Sequence, residues 1–521
     1  MPSPDKLSLH NLYSCQCPDC VAEWHKLESV RLSISESEND DLKKAFNKAA
    51  RWIYKEKKSS IYSDDINASA VQPLLNNINS ILQDGFNRGI EHSVPFIMQR
   101  NLSENVYIFS GAKTYAELKE LSENLLDSNG NIKPFSKFWQ DVESVYPGYN
   151  QSYLKAEYIF ATQSAQMASK WTDYESDGDR YNLQYRTAGD DRVRESHWLL
   201  HNTTLPPSDP FWNDYFPPNG WRCRCTTVQV RKSKYPESDS SQAQSLGANA
   251  TEGKNNIFRF NPGKQQVIFP PHHPYMKQLA GAERETLAKK AGDVYSVKTA
   301  DDVVKTINGI AKDKDWFERG FSKLEVTQKR VNGATDMNGR IWLSKERFDS
   351  TITGINKLST GEQITKDEAD SLATFWHEIN HNRNKKGNMH MSSLQTRYME
   401  LANEFVSRKT LPDFYEAFGS KIQHPEFMSN RTSTGYNTMV NNYQKIVSKT
   451  GLDSGKVVES VKKHLFEEPY NDQKTGLTNA LAGAKKADGK ALKKAEINSL
   501  VKYCDQMNEA NFEKYLDELI R

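Results

Sequence analysis

The sequence has no stretch that approaches the roughly eighteen consecutive apolar residues of a membrane-spanning helix. Its first residues show no basic segment followed by an apolar run, so they predict no secretory signal. Neither sign of charge is in excess, since 69 lysines and arginines stand against 67 aspartates and glutamates, a net charge of +2. We therefore expect a chain made in the cytoplasm with no membrane partner. It should also lack the wholly basic surface of a dedicated nucleic-acid binder.

Cysteine is scarce, with 6 residues among 521, and most of these residues stand in close groups. Cys17 and Cys20 have the spacing of a zinc knuckle, and Cys223 and Cys225 form a second pair. Close pairs in a cytosolic protein are more often metal ligands than disulfides. The four thiolates could therefore hold a structural Zn²⁺ ion, a second metal beside the one considered below.

The cysteine hypothesis leaves two alternatives open. Either His197 or His201 could replace one of the thiol ligands, because imidazole is also a common zinc ligand. Otherwise Cys223 and Cys225 are small buried residues that pack against Trp221, with no metal at all.

Hydrophobic and aromatic residues are frequent enough to build sizeable cores, at 37% and 11% of the chain. A chain of 521 residues suggests more than one domain. Residues 153–171 carry the apolar stripe of a helix, and residues 181–187 alternate as a strand does. Residues 236–255 are small and polar, as in a mobile loop or linker, and residues 265–269 read as a strand. We expect an α+β, multidomain fold.

Residues 377–381 read His-Glu-Ile-Asn-His, an H-E-x-x-H pattern. Two histidines four positions apart on a helix lie one turn apart on the same face, where both imidazoles can bind one zinc ion. Zinc lowers the pKa of a bound water and polarises a scissile carbonyl group. Glu378 then has the position of a general base, which takes the proton of the water and passes it to the leaving amine. The pattern predicts a catalytic Zn²⁺ site with His377 and His381 as ligands and a peptide or protein as substrate.

A third protein ligand is expected from the following helix, where Glu400 and Glu404 share one face. The Asn403-Glu404 pair resembles the second zinc helix of gluzincin peptidases, which favours Glu404. The phrase ELANEFVSRKTLP instead resembles a segment of small phage- and stress-associated metallopeptidases, which favours Glu400. We take Glu404 as the ligand and Glu400 as the alternative, with His390 as a fallback.

Further residues have expected roles near this helix. Residues 340–344 read as a strand, which is either an edge strand that pairs with an extended substrate or an ordinary core strand. Tyr398 and Tyr415 are candidate donors to the oxyanion of the reaction. Asn382 either orients a metal ligand from behind or is exposed.

Residues 187–228 combine aspartate, proline, tryptophan and cysteine in a composite order: Thr187, Asp190, Asp191, Arg194, His197, Asp209-Pro210-Phe211-Trp212, Pro217-Pro218-Asn219-Gly220 and Cys223-Arg224-Cys225. This block closely resembles the phage head morphogenesis domain of the Mu F-like minor head protein family. The flanking sequence fits the general layout of the family over roughly residues 60–290. The resemblance implies a minor component of a tailed-phage or prophage head, near the portal, that acts in head assembly or DNA delivery. It does not itself imply catalysis, and the C-terminal region of such proteins varies and can carry an effector.

The resemblance sets the expected domain order. We expect an N-terminal helical region, a mainly helical head-morphogenesis domain with a small β element, a zincin-like metallopeptidase domain with the HExxH helix, and a helical C-terminal region, at residues 1–60, 61–292, 297–425 and 426–521. The expected location is the virion, in the capsid interior or at the portal vertex. Phage portal and capsid proteins are the expected partners.

Three functional hypotheses follow. The first is a minor head protein that carries a zinc peptidase. The second is a purely structural minor capsid protein with a non-catalytic HExxH. The third is a zinc-knuckle head protein that binds packaged DNA. Arg222 and Arg224 could contact DNA phosphate, whereas Arg194 is expected to form a structural ion pair with Asp190 or Asp191.

Overall fold

The computed structural model describes residues 36–91, 94–279, 281–294, 296–311, 314–336, 338–387 and 390–521. The chain divides into two compact units. The first unit ends at Tyr295, and the second comprises Ser296–Arg521 together with Pro95–Ile97. The fold is the expected α+β arrangement, mainly helical with two small sheets. Among the described residues, no helix is both long enough and apolar enough to cross a membrane.

The first unit is largely helical. Its helices are α1 Glu36–Trp52, α2 Gln72–Gly89, α3 Phe96–Glu123, α4 Phe135–Glu143, α5 Leu154–Asp177, α6 Glu195–Trp198, α7 Phe211–Asp214, α8 Ser240–Ala250, α9 Pro262–Gln265, α10 Pro274–Gln278 and α11 Gly281–Val294. Short 3₁₀ or π turns are Ile53–Lys57, Ser63–Asn67, Gly148–Tyr153, Gly178–Arg180 and Gly253–Phe258. Its strands are β1 Asn182–Arg186, β2 Thr204–Leu205 and β3 Thr226–Val230.

Helices α2 and α5 pack closely in the larger core of this unit. A Cβ atom at Gly89 would lie only 2.1 Å from the carbonyl oxygen of Thr162, so the approach depends on a residue without a side chain. Buried apolar residues such as Leu82 and Phe160 fill the core around this contact. The expected helix at residues 153–171 is thus confirmed as α5.

The sheet of the first unit is antiparallel, in the order β2-β1-β3, with Tyr185 opposite Thr227. Residues 181–187 therefore form the expected strand, which is β1. A second core packs beside the sheet and contains Tyr185, Trp212, Cys223 and Cys225. This sheet fixes the position of the cysteine pair, because Cys225 directly precedes β3.

Two expectations for the first unit are wrong. Residues 236–255 contain helix α8, whose first turn is capped by the side chain of Asp239. Its buried face consists of small residues, including Gly247 against the Tyr215 ring, so the sequence shows no apolar stripe. Residues 265–269 are not a strand. The backbone N–H groups of Ile268 and Phe269 instead donate to the side chain of Asn105.

The second unit places one sheet among many helices. Its elements are α12 Ala300–Ala311, β4 Lys323–Val326, β5 Gly333–Thr335, β6 Arg340–Leu343, α13 Lys345–Thr360, α14 Lys366–His381, α15 Ser393–Lys409, α16 Leu411–Ala417, α17 Asn437–Lys449, α18 Ser454–Glu467, α19 Gln473–Ala480, α20 Lys494–Gln506 and α21 Glu509–Ile520. Two 3₁₀ turns, Pro425–Met428 and Tyr470–Asp472, join these helices.

The strand order of the second sheet is β4-β6-β5, with β6 parallel to β4 and antiparallel to β5. The sequence correctly predicts a strand at residues 340–344, which is β6. Of the two alternatives for this strand, the ordinary core strand is confirmed and the edge strand is wrong, since β6 is the middle strand and its Ile341 and Leu343 side chains are fully buried. One edge of the sheet is formed by β4 and the other by the short strand β5, which the sequence does not reveal.

Two cores flank the long helices α14 and α15. One contains Ile341, Trp376 and Phe414, and the other contains Phe405 and Tyr443. Both helices begin with a capping box, in which a threonine or serine and the third helical residue cap each other's backbone N–H groups. These caps fix where each helix starts, and therefore which side chains face the space between the two cores.

Candidate metal centre

Polar side chains hold α14 and α15 in a fixed register. The Asn403 amide donates to the carbonyl oxygen of His377 at 3.0 Å, and the Asn380 amide donates to Ser407 at 3.2 Å. Asn380, within the H-E-x-x-H pattern, therefore stabilises the contact between the two helices. The same register brings Glu400 of α15 opposite the two histidines of α14.

Three potential ligand atoms converge at this place. The Nε2 atoms of His377 and His381 lie 3.1 Å apart, and Glu400 Oε2 lies 3.3 Å from the first and 3.5 Å from the second. Zinc–ligand bonds of about 2.0–2.2 Å at tetrahedral angles place neighbouring ligand atoms about 3.3–3.5 Å apart. Glu400 Oε2 is buried and accepts no hydrogen bond from the described residues. The three side chains fit a zinc ion in both spacing and donor type.

Glu404 has a different contact. Its Oε2 atom lies 2.7 Å from Nδ1 of His377, the ring nitrogen that faces away from the ligand cluster. Its Oε1 atom accepts from Arg408 at 2.8 Å and from Arg431 at 3.4 Å, and the side chain is 1% exposed. A carboxylate behind a histidine ligand fixes the tautomer and the orientation of the ring. The structure thus brings Glu400, the alternative third ligand, to the Nε2 atoms of both histidines, and it places Glu404 behind the His377 ring.

The charges of this cluster depend on one another. Burial alone would lower the pKa of His377, but the neighbouring Glu400 and Glu404 carboxylates raise that pKa to about 10. Burial would likewise raise the pKa of Glu400, whereas the two histidines hold it below its ordinary value. Positive charge between the two carboxylates would therefore stabilise the cluster, and a bound divalent cation would supply that charge.

Glu378 lies in the same cleft, and burial raises its pKa above the ordinary value. Strand β5 passes very close to this carboxylate: a Cβ atom at Gly333 would lie 2.5 Å from Glu378 Oε1. Asn382 is buried, and its amide donates to Thr335 of β5 at 2.6 Å. It therefore ties the end of α14 to the edge strand. It neither orients a ligand nor lies exposed.

The cleft has a volume of about 900 Å³. One wall is residues 329–336, which include the edge strand, and another is formed by Tyr436 and neighbouring residues. The Tyr436 ring stacks on the His377 ring at 5.9 Å with an interplanar angle of 13°. Burial and the nearby Glu400 and Glu378 carboxylates raise the pKa of Tyr436, so its hydroxyl stays protonated.

The tyrosines proposed from the sequence are elsewhere. Tyr398 and Tyr415 are buried in the two cores, and neither is among the residues that line the cleft. Tyr470 reaches the cleft, but its hydroxyl donates to the carbonyl oxygen of His381. The sequence does not reveal Tyr436, because this residue follows the end of α14 by more than fifty positions and lies in a segment without a recognisable motif. His390, the fallback ligand, is exposed.

A second cluster lies in the first unit. His197 Nδ1 is 3.6 Å from the Cys223 sulfur and 3.7 Å from the Cys225 sulfur, and all three side chains are buried. Both cysteines are free thiols. His201 does not take part, since its Nδ1 contacts the Thr187 hydroxyl at 2.8 Å.

The proposed partners Cys17 and Cys20 lie outside the described residues. Cys223 and Cys225 belong to the core beside the sheet, whereas Trp221 belongs to the larger helical core.

Asp190 and Arg194 each have a close contact with another residue. Asp190 accepts two hydrogen bonds of 2.6 Å from Arg224, which lower the pKa of Asp190 to about 2. Arg194 donates to the carbonyl oxygen of Trp221 at 2.7 Å. Arg224, which was considered as a DNA phosphate contact, is thus engaged within the chain.

Residues 117–228 match the family model described as Phage Mu protein F like protein. The matched segment resembles the Mu F-like family. It contains β1, β2, the start of β3, His197 and the cysteine pair, and it ends before residue 295, where the first unit ends. No solved structure matches the chain.

Two curated proteins are similar to this chain. One, from Escherichia phage Mu, is described as "Putative capsid assembly protein F"; it is 26% identical over 215 residues, which is 38% of this chain and 46% of that protein. The other, the Mu-like prophage FluMu F protein of Haemophilus influenzae, is 30% identical over 120 residues, which is 22% of this chain and 26% of that protein. The chain thus spans less than half the length of either curated relative.

Proposed function

We propose that this chain is a minor head protein of a tailed phage or prophage whose second unit is a zinc-dependent peptidase. The family match at residues 117–228 and the similarity of the chain to the phage Mu protein described as "Putative capsid assembly protein F" support the head role. The convergence of His377, His381 and Glu400 beside Glu378 supports the peptidase. In this proposal the protein resides in the virion, contacts portal or capsid proteins, and acts in head assembly or in delivery of the packaged DNA.

The residues that would hold zinc are His377, His381 and Glu400. Three protein ligands leave a fourth position of a tetrahedral site open, as catalytic zinc sites require. When bound, zinc supplies Lewis acidity that polarises a carbonyl group and acidifies water. Glu404 holds the His377 ring from behind through Nδ1.

Glu378 is the general base of the proposed reaction. Its raised pKa suits a carboxylate that must accept a proton from attacking water and give it to the departing amine. The close approach of Gly333 confines the carboxylate to one side of the cleft. The Tyr436 hydroxyl is the candidate donor to the oxyanion that forms as water attacks the carbonyl carbon.

Strand β5 is the proposed docking edge for substrate. It pairs with β6 on one side, and among the described residues its other edge has no strand partner. The same segment lines the cleft. An extended peptide can pair with such an edge through main-chain hydrogen bonds, which favour unfolded or loop segments of proteins as substrates.

The peptidase is tested by metal analysis and by cleavage. Wild-type chain and Glu378→Gln should bind zinc equally, because the change spares all three ligands. Incubated with phage head proteins and with host lysate, the wild type should generate new peptide N-termini that Glu378→Gln does not. Identical cleavage patterns in the two samples would contradict the enzymatic role.

The head role is tested separately, in particles. Mass spectrometry of purified virions should detect the chain in few copies, and loss of the whole chain should impair head assembly or DNA delivery. Truncation after residue 295, at the border between the units, should retain incorporation into heads. Absence of the chain from purified particles would contradict the head role and leave the peptidase result unaffected.

A further inference from the structure

The Mu F-like segment holds a second set of metal-binding side chains, which the proposed function does not use. The short helix α6 presents His197, and Cys223 and Cys225 lie on the turn that leads into β3. Arg222, between Trp221 and Cys223, has a φ of 58°, and this left-handed residue sharpens the turn. Two distant segments of the sequence are thus brought to one buried place.

The distances match those of a zinc site. Bonds of about 2.3 Å to sulfur and about 2.0–2.1 Å to nitrogen at tetrahedral angles place sulfur and nitrogen about 3.6 Å apart. The observed separations from His197 Nδ1 are 3.6 and 3.7 Å. The three ligand atoms all lie within 4.8 Å of one another.

A network of hydrogen bonds alone does not satisfy these groups. The lone pair of a neutral imidazole nitrogen accepts one hydrogen bond at a time, yet both sulfurs lie against the same Nδ1 atom. The other ring nitrogen, Nε2 of His197, is buried and has no partner among the described residues. One cation bound to Nδ1 and both sulfurs accounts for the convergence of all three groups.

Arginine side chains lie around the cluster: Arg192, Arg194, Arg222 and Arg224 line the adjoining cavity together with His197 and the two cysteines. The adjoining cavity measures about 10 Å³, which is close to the room that one water needs. Such a space admits an ion but no organic substrate, so the cluster is suited to a structural role.

We propose that His197, Cys223 and Cys225 bind a structural zinc ion that links α6 to the start of β3. Two thiolates neutralise the charge of the ion, and the imidazole completes a three-residue ligand set. The bound ion would hold α6 against the turn before β3, two segments that the sheet alone joins only through short strands. This site is independent of the proposed peptidase, which uses nitrogen and oxygen ligands in the second unit.

Cobalt substitution of the full-length protein tests the site directly. Co²⁺ bound by thiolates gives intense sulfur-to-metal charge-transfer absorption, which a site with only nitrogen and oxygen ligands does not give. We expect this absorption in the wild type and in a His377→Ala variant, about one thiolate-bound metal per chain. Cobalt binding without the charge-transfer band would overturn the proposal, and that measurement needs no change at the cysteines.

Substitutions assign the ligands. Cys223→Ser and Cys225→Ser should each lose the charge-transfer band and about one equivalent of zinc. Cys504→Ser is the matched control, since Cys504 is also a buried free thiol but lies in the second unit. Retention of the band and of the zinc in both Cys223→Ser and Cys225→Ser would overturn the proposal, as would a Cys223–Cys225 disulfide in metal-free protein purified without reductant.

Discussion

Exchanging each glutamate of α15 for glutamine separates a metal ligand from the residue behind it. Glu400→Gln removes the carboxylate whose oxygen lies 3.3 and 3.5 Å from the two Nε2 atoms. Glu404→Gln removes charge from a group that contacts His377 through Nδ1, the ring nitrogen that faces away from the ligand cluster. The two variants carry the same substitution at positions one helical turn apart, so any difference in their zinc affinity or stability reflects the position of the residue.

The expected sizes of the effects follow from these contacts. Loss of a partner behind a histidine ligand lowers metal affinity by about 10–100-fold, or about 1.4–2.7 kcal/mol. Glu404→Gln should lower zinc affinity within this range, whereas Glu400→Gln should lower it by more than about 100-fold, because a direct ligand is removed. For the stability of the metal-free protein we expect the opposite order. Glu404 compensates Arg408 and Arg431, which are 1% and 3% exposed, so its loss should destabilise metal-free protein by about 3–5 kcal/mol.

The assay is zinc competition against a chromophoric chelator, combined with urea unfolding of the metal-free variants. Glu459→Gln serves as a matched control, since Glu459 is an exposed glutamate on α18 that pairs only with Lys462. It should change neither measurement. If Glu404→Gln abolishes zinc binding while Glu400→Gln binds as the wild type does, the assignment of the third ligand is reversed.

Three further predictions concern single residues. Gly333→Ala should lower the kcat of peptide hydrolysis by about 100-fold with zinc retained, because the new Cβ displaces the Glu378 carboxylate. Gly435→Ala is the control and should have little effect on hydrolysis, because Gly435 lines the same cleft but has open space around its Cβ position. Equal rates in the two variants would contradict the role of the close approach between Gly333 and Glu378. Tyr436→Phe should lower kcat by about 10²–10³-fold with KM little changed, and an unchanged kcat would remove the proposed oxyanion donor. Burial raises the pKa of Glu117 to about 8 from an ordinary 4.5. Between these two pH values the folded state keeps a proton that the unfolded state releases. The free energy of unfolding should therefore fall as pH rises from about 4.5 to 8, by up to about 1.4 kcal/mol per pH unit. Glu117→Gln should flatten this decline in urea unfolding at pH 5 and 8, and a decline as steep as in the wild type would assign it to other groups.

The sequence predicted features whose cause is local. The spacing of His377 and His381 places both imidazoles on one helical face in any helix, and Thr365 with Glu368 caps the start of that helix. The alternation at residues 181–187 predicts a strand, and β1 forms there, with both of its faces buried. The α+β class and the likeness of residues 187–228 to a phage head domain are likewise readable from residue order alone.

Features that depend on long-range packing were decided by the tertiary structure. Glu400 and Glu404 share a helical face, so spacing could not separate them; the register of α14 on α15, set by Asn403 and Asn380, did. The sequence of residues 340–344 fits a strand at the edge or in the middle of a sheet, and only the pairing of β6 with both β4 and β5 makes it the middle strand.

The contacts of Tyr436 and His197 also depend on long-range packing. Neither neighbours in sequence the residues that it contacts, and nothing in local spacing records a contact across dozens of residues. Sequence periodicity determines which face of a helix or strand a side chain occupies, because that geometry repeats along the chain. Which faces meet is determined by the burial of all apolar surface together, and that is a property of the folded chain alone.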